Sequence, residues 1–256
     1  MPTRISSSAV AALAWTVLAC LTCAPIAHAA NNVSAAISAA VASPARPDGD
    51  KQRDAARKPA ESIAFAGLKP GDKIVDLLPG GGYFTRIFSA VVGPKGHVWA
   101  AWPQGVPDAR TAAVKAIAAD PAYANVTELE QPLAALKIPE AADMIWTSQN
   151  YHDLHNISGL DMGAVNKSIF DALKPGGIYI VLDHAAEAGS GFRDTGTLHR
   201  IDPEAVKTEV EAAGFKLVAR SDLLRNPADP HTAKVFDPAI RGKTDQFILK
   251  FRKPAK

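Results

Sequence analysis

The chain has 256 residues, 47% hydrophobic and 21% charged, with a formal net charge of +2. That balance excludes a disordered chain and supports one large α/β domain with a proper core; the near-neutral charge gives no footprint for nucleic acid. Cys20 and Cys23 are the two cysteines.

The N-terminus reads as a targeting segment. Arg4 precedes an apolar run, Ala9–Leu21, and Ala27-His28-Ala29 is a small-x-small cleavage pattern. Residues 1–29 are therefore predicted to be a secretory signal, too short for a retained membrane span. Cleavage after Ala29 removes both cysteines, so the mature chain, periplasmic or secreted, has no disulfide, thiolate metal site or Cys nucleophile. Val17-Leu18-Ala19-Cys20 offers the alternative of a lipoprotein acylated at Cys20, although Leu18 fits such a box poorly. Residues 30–50, rich in Ala, Ser and Pro, read as a flexible lead-in, and 51–256 as one α/β domain.

Lys51–Ala66 has helical character, interrupted at Pro59, and Leu68–Asp72 is turn chemistry. Lys73–Leu77 reads as a buried strand, Pro79–Gly82 as a tight turn and Tyr83–Val92 as an amphipathic helix. Strand, Gly-rich turn and helix together bring backbone N–H groups to a ligand at the carboxyl end of a sheet. Gly80 and Gly82 would admit a ligand close to the backbone; the alternative is that the glycines only turn the chain. Strands follow at His97–Trp102, Val126–Glu130 and Ala142–Ser148, with a helix over Asp108–Ala119. Asp161–Leu173 is helical and stops at Lys174-Pro175-Gly176-Gly177; Ile178–Asp183 is an apolar strand. Asp202-Pro203-Glu204 starts a helix, which ends at Gly214, and Phe215–Arg220 and Gln246–Arg252 are closing strands. The alternation predicts an α/β fold with a mainly parallel sheet.

In that order, V-D-L-L-P-G-G-G-Y-F-T, G-H-V-W-A-A, D-M-I-W-T-S, L-K-P-G-G-I-Y-I-V-L-D-H and A-G-F-K-L-V resemble the class I S-adenosylmethionine-dependent methyltransferases over roughly Arg53–Pro254. More narrowly, P-G-G-G-Y-F-T, N-Y-H-D-L-H and the tail N-P-A-D-P-H-T-A-K-V-F-D-P-A-I-R-G-K-T-D-Q-F are similar to a group of exported bacterial methyltransferases. The resemblance implies a Rossmann-like, doubly wound, mainly parallel seven-stranded sheet. It implies S-adenosyl-L-methionine as cofactor and a small or medium molecule as methyl acceptor.

Carried over by position, Asp76, Gly80, Gly81, Gly82 and Tyr83 would line the methionine end, with Asp76 toward the cofactor's amino group. The first glycine of the usual D-x-G-x-G-x-G pattern is Leu78, followed by Pro79, which predicts a differently shaped turn. The acid that usually ends the second strand is missing near Trp102, and Gln131 stands where an acid usually contacts the adenine. Gln104 and Gln131 keep hydrogen-bonding capacity there, and Trp102 offers a stacking face.

After the fourth strand, Asn150, Tyr151, His152, Asp153 and His155 fall where this fold places substrate-facing residues. His152 is the expected base, with Asp153 beside it. His152 and His155 would share a helix face, but two histidines and one aspartate make no convincing ligand set, so no metal is expected. His184, His199 and Arg200 should reach the same rim. A binding protein of the envelope that keeps the fold without the chemistry is the alternative. A nicotinamide oxidoreductase is disfavoured, because G-G-G-Y-F-T is not G-x-G-x-x-G and no acid closes the second strand. Two substitutions follow: Gly82→Val should abolish ligand binding with the fold intact, and His152→Ala should lower turnover more than cofactor affinity.

Overall fold

A computed structural model describes Met1 and residues 24–255. Arg4, the run Ala9–Leu21, Cys20 and Cys23, which carry the signal and lipoprotein readings, lie outside the described residues. Among the described residues no helix is long and apolar enough to cross a membrane.

Residues 30–50, expected as a flexible lead-in, are largely helical instead. Helix α1 (Ala24–Val41) and the short helix α2 (Asp48–Lys51) occupy most of this stretch. Val33, Ile37, Ala40 and Val41 recur at helical spacing and pack into the core. Arg46 then closes the following loop: its guanidinium donates to the Val41 carbonyl at 2.6 Å and to both Asp54 oxygens at 2.8 and 2.7 Å. The Ala- and Ser-rich composition disguised a narrow apolar stripe. Helices α3 (Asp54–Arg57) and α4 (Pro59–Ala66) follow, restarted at Pro59 as expected.

The sheet comprises β1 (Lys73–Leu77), β2 (His97–Pro103), β3 (Val126–Gln131), β4 (Ala142–Ser148), β5 (Leu173–His184), β6 (Lys216–Ser221) and β7 (Gln246–Arg252). Its order is β3-β2-β1-β4-β5-β7-β6, parallel except for β7, which runs antiparallel between β5 and β6. Helices α5 (Tyr83–Val92), α6 (Asp108–Ala119), α7 (Tyr151–Leu154), α8 (Met162–Ala172) and α9 (Pro203–Ala212) connect the strands. Two apolar clusters bury the two faces of the sheet, one around Trp146 and Phe88, the other around Tyr179 and Phe251. That two-sided burial explains the near-continuous apolar strands.

Helix starts follow the sequence signals. The Asp161 carboxylate accepts the Gly163 and Ala164 N–H groups at 2.8 and 3.2 Å, and Asp202 accepts that of Glu204 at 2.9 Å. Strand β5 starts earlier than expected, because Lys174–Gly177 pairs with the tail. Gly176 N–H donates to the Lys253 carbonyl and Lys253 N–H to that of Gly177, each at 2.9 Å.

The chain leaves β1 toward β2 and β3, and later returns to β4 and β5 on the other side. The switch point therefore lies between β1 and β4 at their carboxyl ends, where open α/β sheets form a crevice.

Candidate functional site

The turn after β1 is built from alternate left-handed residues. Leu78, Gly80 and Gly82 have φ of 54°, 58° and 79°. Leu78 thus keeps the backbone conformation that glycine suits, at a cost of about 1–2 kcal/mol. Its backbone is held from both sides: Leu78 N–H donates to the Ala101 carbonyl, and the Asn150 amide donates to the Leu78 carbonyl, both at 2.8 Å. Asn150 thereby supports the turn from the β4 side.

The glycines are not equivalent. A Cβ at Gly80 or Gly81 meets nothing within 4 Å, whereas one at Gly82 falls 2.2 Å from Ile117 Cδ1 on α6. Gly82 therefore packs helix against turn, and the expected separation of binding from stability does not hold there. Gly82→Val should cost about 1–3 kcal/mol from left-handed strain and the displaced Ile117. Thermal melting checks this; an unshifted melting temperature with lost ligand binding would contradict it.

Three adjoining cavities form a cleft along the carboxyl ends. A cavity of about 160 Å³ lies over Asp76 and is walled by Arg57, Gly80, Tyr83 and Gln149. A larger one of about 590 Å³ shares Leu78, Gly80 and Asn150 with it and extends to Trp102, Gln104 and His199. A third, about 300 Å³, lies beyond Arg57 and Gln149 toward His184 and Phe236. Arg57 was not anticipated. It comes from α3, donates to Gln149 Oε1 at 2.7 Å and lies 4.6 Å from the Tyr83 ring centre. Nothing local in Arg53-Asp54-Ala55-Ala56-Arg57 marks it; only the folding of the N-terminal helices over the turn brings it in.

Asp76 is buried and accepts the Thr85 hydroxyl at 2.6 Å. Burial raises its carboxyl to about 7, against the opposing pull of the Thr85 hydrogen bond and the Arg57 charge. Tyr83 donates its hydroxyl to Asp54 at 2.6 Å and sits among Arg46, Arg53 and Arg57. Trp102 is only 5% exposed and belongs to the core, yet its edge reaches the large cavity. Its buried Nε1 has no partner within the protein. Gln104 is exposed on the same wall. Gln131 is placed elsewhere: its Oε1 accepts the Lys137 N–H at 2.7 Å, and it lines none of the three cavities.

Several expected substrate contacts are structural instead. Tyr151 is fully buried and donates its hydroxyl to Glu209 of α9, while Asn166 donates to it at 2.8 Å. His155 Nε2 lies 3.2 Å from Glu209, and its ring stacks on Phe192. Arg200 is fully buried against Asp229. His184 reaches the third cavity but bonds Thr244 Oγ1 at 2.8 Å, and burial pushes its imidazole down to about 4.

His152, expected as the base, is buried away from the cleft. It is 2% exposed and lines none of the cleft cavities. Its Nδ1 lies 2.8 Å from Asp183 Oδ1, and its backbone N–H donates to the other Asp183 oxygen at 2.9 Å. Burial acts to lower its pKa, but the Asp183 and Asp153 carboxylates outweigh that and push it up to about 10. With Asp183 at Nδ1, Asp153 at Nε2 and no cleft cavity beside it, the ring is not placed to take a proton from a substrate. Asp153 and His199 do face the large cavity, and His199 has a left-handed backbone, φ 56°.

No family model matches the sequence, and no curated protein matches it. Solved structures do match the fold. A SAM-dependent methyltransferase from Aquifex aeolicus superposes with a TM-score of 0.56 at 18% identity, over 75% of this chain and 88% of that one. The glycopeptide N-methyltransferase MtfA, complexed with S-adenosyl-L-methionine, gives 0.53 at 16% identity, over 77% and 87%. The 4+2 cyclase SpnF gives 0.57 at 19% identity, over 81% and 82%. The class defined is the fold of the class I methyltransferases: a Rossmann-like, mainly parallel seven-stranded sheet. At these identities the likeness extends to the fold alone, and a cyclase among the neighbours shows that this fold serves other chemistry.

Proposed function

We propose that the protein is an S-adenosyl-L-methionine-dependent methyltransferase acting on a small or medium acceptor, exported by a signal within its first 29 residues. The observation that carries the reading is the cleft itself. It runs from Asp76 and Arg57 across the open face of Gly80 to Trp102 and Gln104. Asp76 suits an ammonium and Arg57 a carboxylate, so together they match an amino-acid end group. Trp102, whose aromatic side chain borders the large cavity, and Gln104 suit a nucleoside at the other end. The residues present therefore fit the cofactor, apart from an acid to receive the ribose hydroxyls. Gln104 forfeits the charge-assisted share of that bond, and micromolar binding, about 8 kcal/mol, is the expected strength.

Bound in the cleft, the cofactor supplies a sulfonium-activated methyl group. The chain's own part is to align donor and acceptor and keep water out. The acceptor belongs in the large cavity beside Asn150, Asp153 and His199.

The pH dependence tests the assignment of Asp76. With a folded pKa of about 7, raised by burial, Asp76 is protonated in acid. Its contribution to stability is complete below the unfolded value near 4 and is lost as pH rises through 7. A ligand ammonium requires the ionised form, so binding below pH 7 must expel a proton. Affinity for S-adenosylhomocysteine should fall by up to tenfold per pH unit below 7 and level off above it. Asp76→Asn should flatten the profile. A wild-type profile already flat from pH 5.5 to 8 would remove Asp76 from the ammonium site.

A further inference from the structure

We propose that His152, Asp153 and His199 bind one divalent transition-metal ion, zinc by its geometry, on the wall of the large cavity. Among the described residues these three form the group whose ligand atoms converge in this way. His152 Nε2, Asp153 Oδ1 and His199 Nδ1 form an equilateral triangle. His152 Nε2 lies 3.3 Å from Asp153 Oδ1 and 3.3 Å from His199 Nδ1, and the last two atoms are also 3.3 Å apart.

That spacing is long for hydrogen bonds, which fall at about 2.7–3.2 Å. It is the edge of a metal tetrahedron: ligands about 2.0–2.1 Å from a zinc ion are separated by about 3.3–3.4 Å. An octahedral ion at the same bond lengths needs edges near 3.0 Å, shorter than those found. The donor set, two imidazoles and a carboxylate, suits a zinc-type ion, and three protein ligands leave the fourth position open.

The surroundings orient the ligands as such a site requires. Asp183, fully buried, lies 2.8 Å from His152 Nδ1. A carboxylate there accepts the hydrogen bond of Nδ1–H, which fixes the tautomer whose Nε2 points into the triangle and would bind the ion. His199 is turned inward by its left-handed backbone, and the next residue, Arg200, is clamped to Asp229. Phe236 packs edge-on against the outer side of the His199 ring at 4.8 Å. The side chains of Asp153 and His199 are 40% and 28% exposed, and both line the cavity, so the open position faces an acceptor. An acceptor oxygen or sulfur is the ligand it would take. His155, the partner that sequence spacing offered, is turned to Glu209 instead.

Metal binding by the triangle does not depend on the methyltransferase reading, only the acceptor's role as fourth ligand does, and zinc and donor binding are tested separately. Tag-free protein from the full-length chain is stripped with a chelator and titrated with zinc chloride, with no donor or acceptor present. One equivalent should bind with submicromolar affinity, and cobalt(II) should give the visible absorption of a tetrahedral site. Asp153→Ala, at a side chain exposed enough to spare the fold, should weaken zinc at least 100-fold, as should His199→Ala. Asp183→Asn should weaken it 10- to 100-fold through the His152 ring. Absence of a stoichiometric zinc in the wild-type protein overturns the proposal, whatever the variants do; so does wild-type affinity in Asp153→Ala. Homocysteine-nucleoside binding by the stripped protein is scored apart, so loss of one reading leaves the other standing.

Discussion

Arg200→Ala should cost about 3–5 kcal/mol of stability. The guanidinium is fully buried and uses all three nitrogens. It donates to Asp229 at 2.9 and 3.1 Å, to the Ala185 carbonyl at 2.9 Å and to the Ala233 carbonyl at 3.0 Å. These bonds tie the end of β5 to the long β6–β7 loop. Removal leaves the Asp229 charge buried, with only the backbone N–H groups of Asp245 and His231 to stabilise it. Urea unfolding measures the loss. A change below about 1 kcal/mol would return Arg200 to the substrate role that its position beside His199 suggests.

The second large effect belongs to Trp102. Trp102→Ala should cost about 3–5 kcal/mol, because the ring fills the core between the sheet and α6 and leaves a cavity behind. Its part in binding has to be read from a gentler change. Trp102→Phe keeps most of the apolar volume but shrinks the aromatic face available for stacking at the large cavity. The phenylalanine variant should stay folded and bind S-adenosylhomocysteine several-fold more weakly. Unaltered affinity in that variant would confine Trp102 to the core.

The sheet was legible because its inner strands are buried on both faces and read as apolar runs, while the half-exposed edge strands β3 and β6 are bounded by turn residues. Ala142–Ser148 and Asp108–Ala119 appear with the boundaries expected. Helix α1 was hidden because its stripe consists of Val33, Ile37, Ala40 and Val41 within an otherwise small-residue segment. Site residues were harder. Asp76, Gly80, Gly81 and Tyr83 fall together because the turn after β1 is local in sequence. Tyr151 and His155 share a segment with Asn150 and Asp153, but a helical turn sends them to the opposite side, against Glu209. His199 and Arg200 are adjacent, yet one faces the cavity and the other is buried in an ion pair. Arg57 was invisible, since its role depends on how α3 folds over β1.

If the cleft is a cofactor site, it must accept the cofactor's product. Calorimetric titration of the full chain with S-adenosylhomocysteine at pH 8 measures this, alongside Gly80→Leu. Leucine is the right probe, because Leu78 already shows that such a side chain tolerates a left-handed backbone in this turn, and the space above Gly80 is open. One molecule per chain should bind in the micromolar range, and Gly80→Leu should abolish binding while its melting temperature falls by only a few degrees. No binding to the wild-type protein at millimolar ligand would contradict the account and favour an envelope binding protein built on the same sheet.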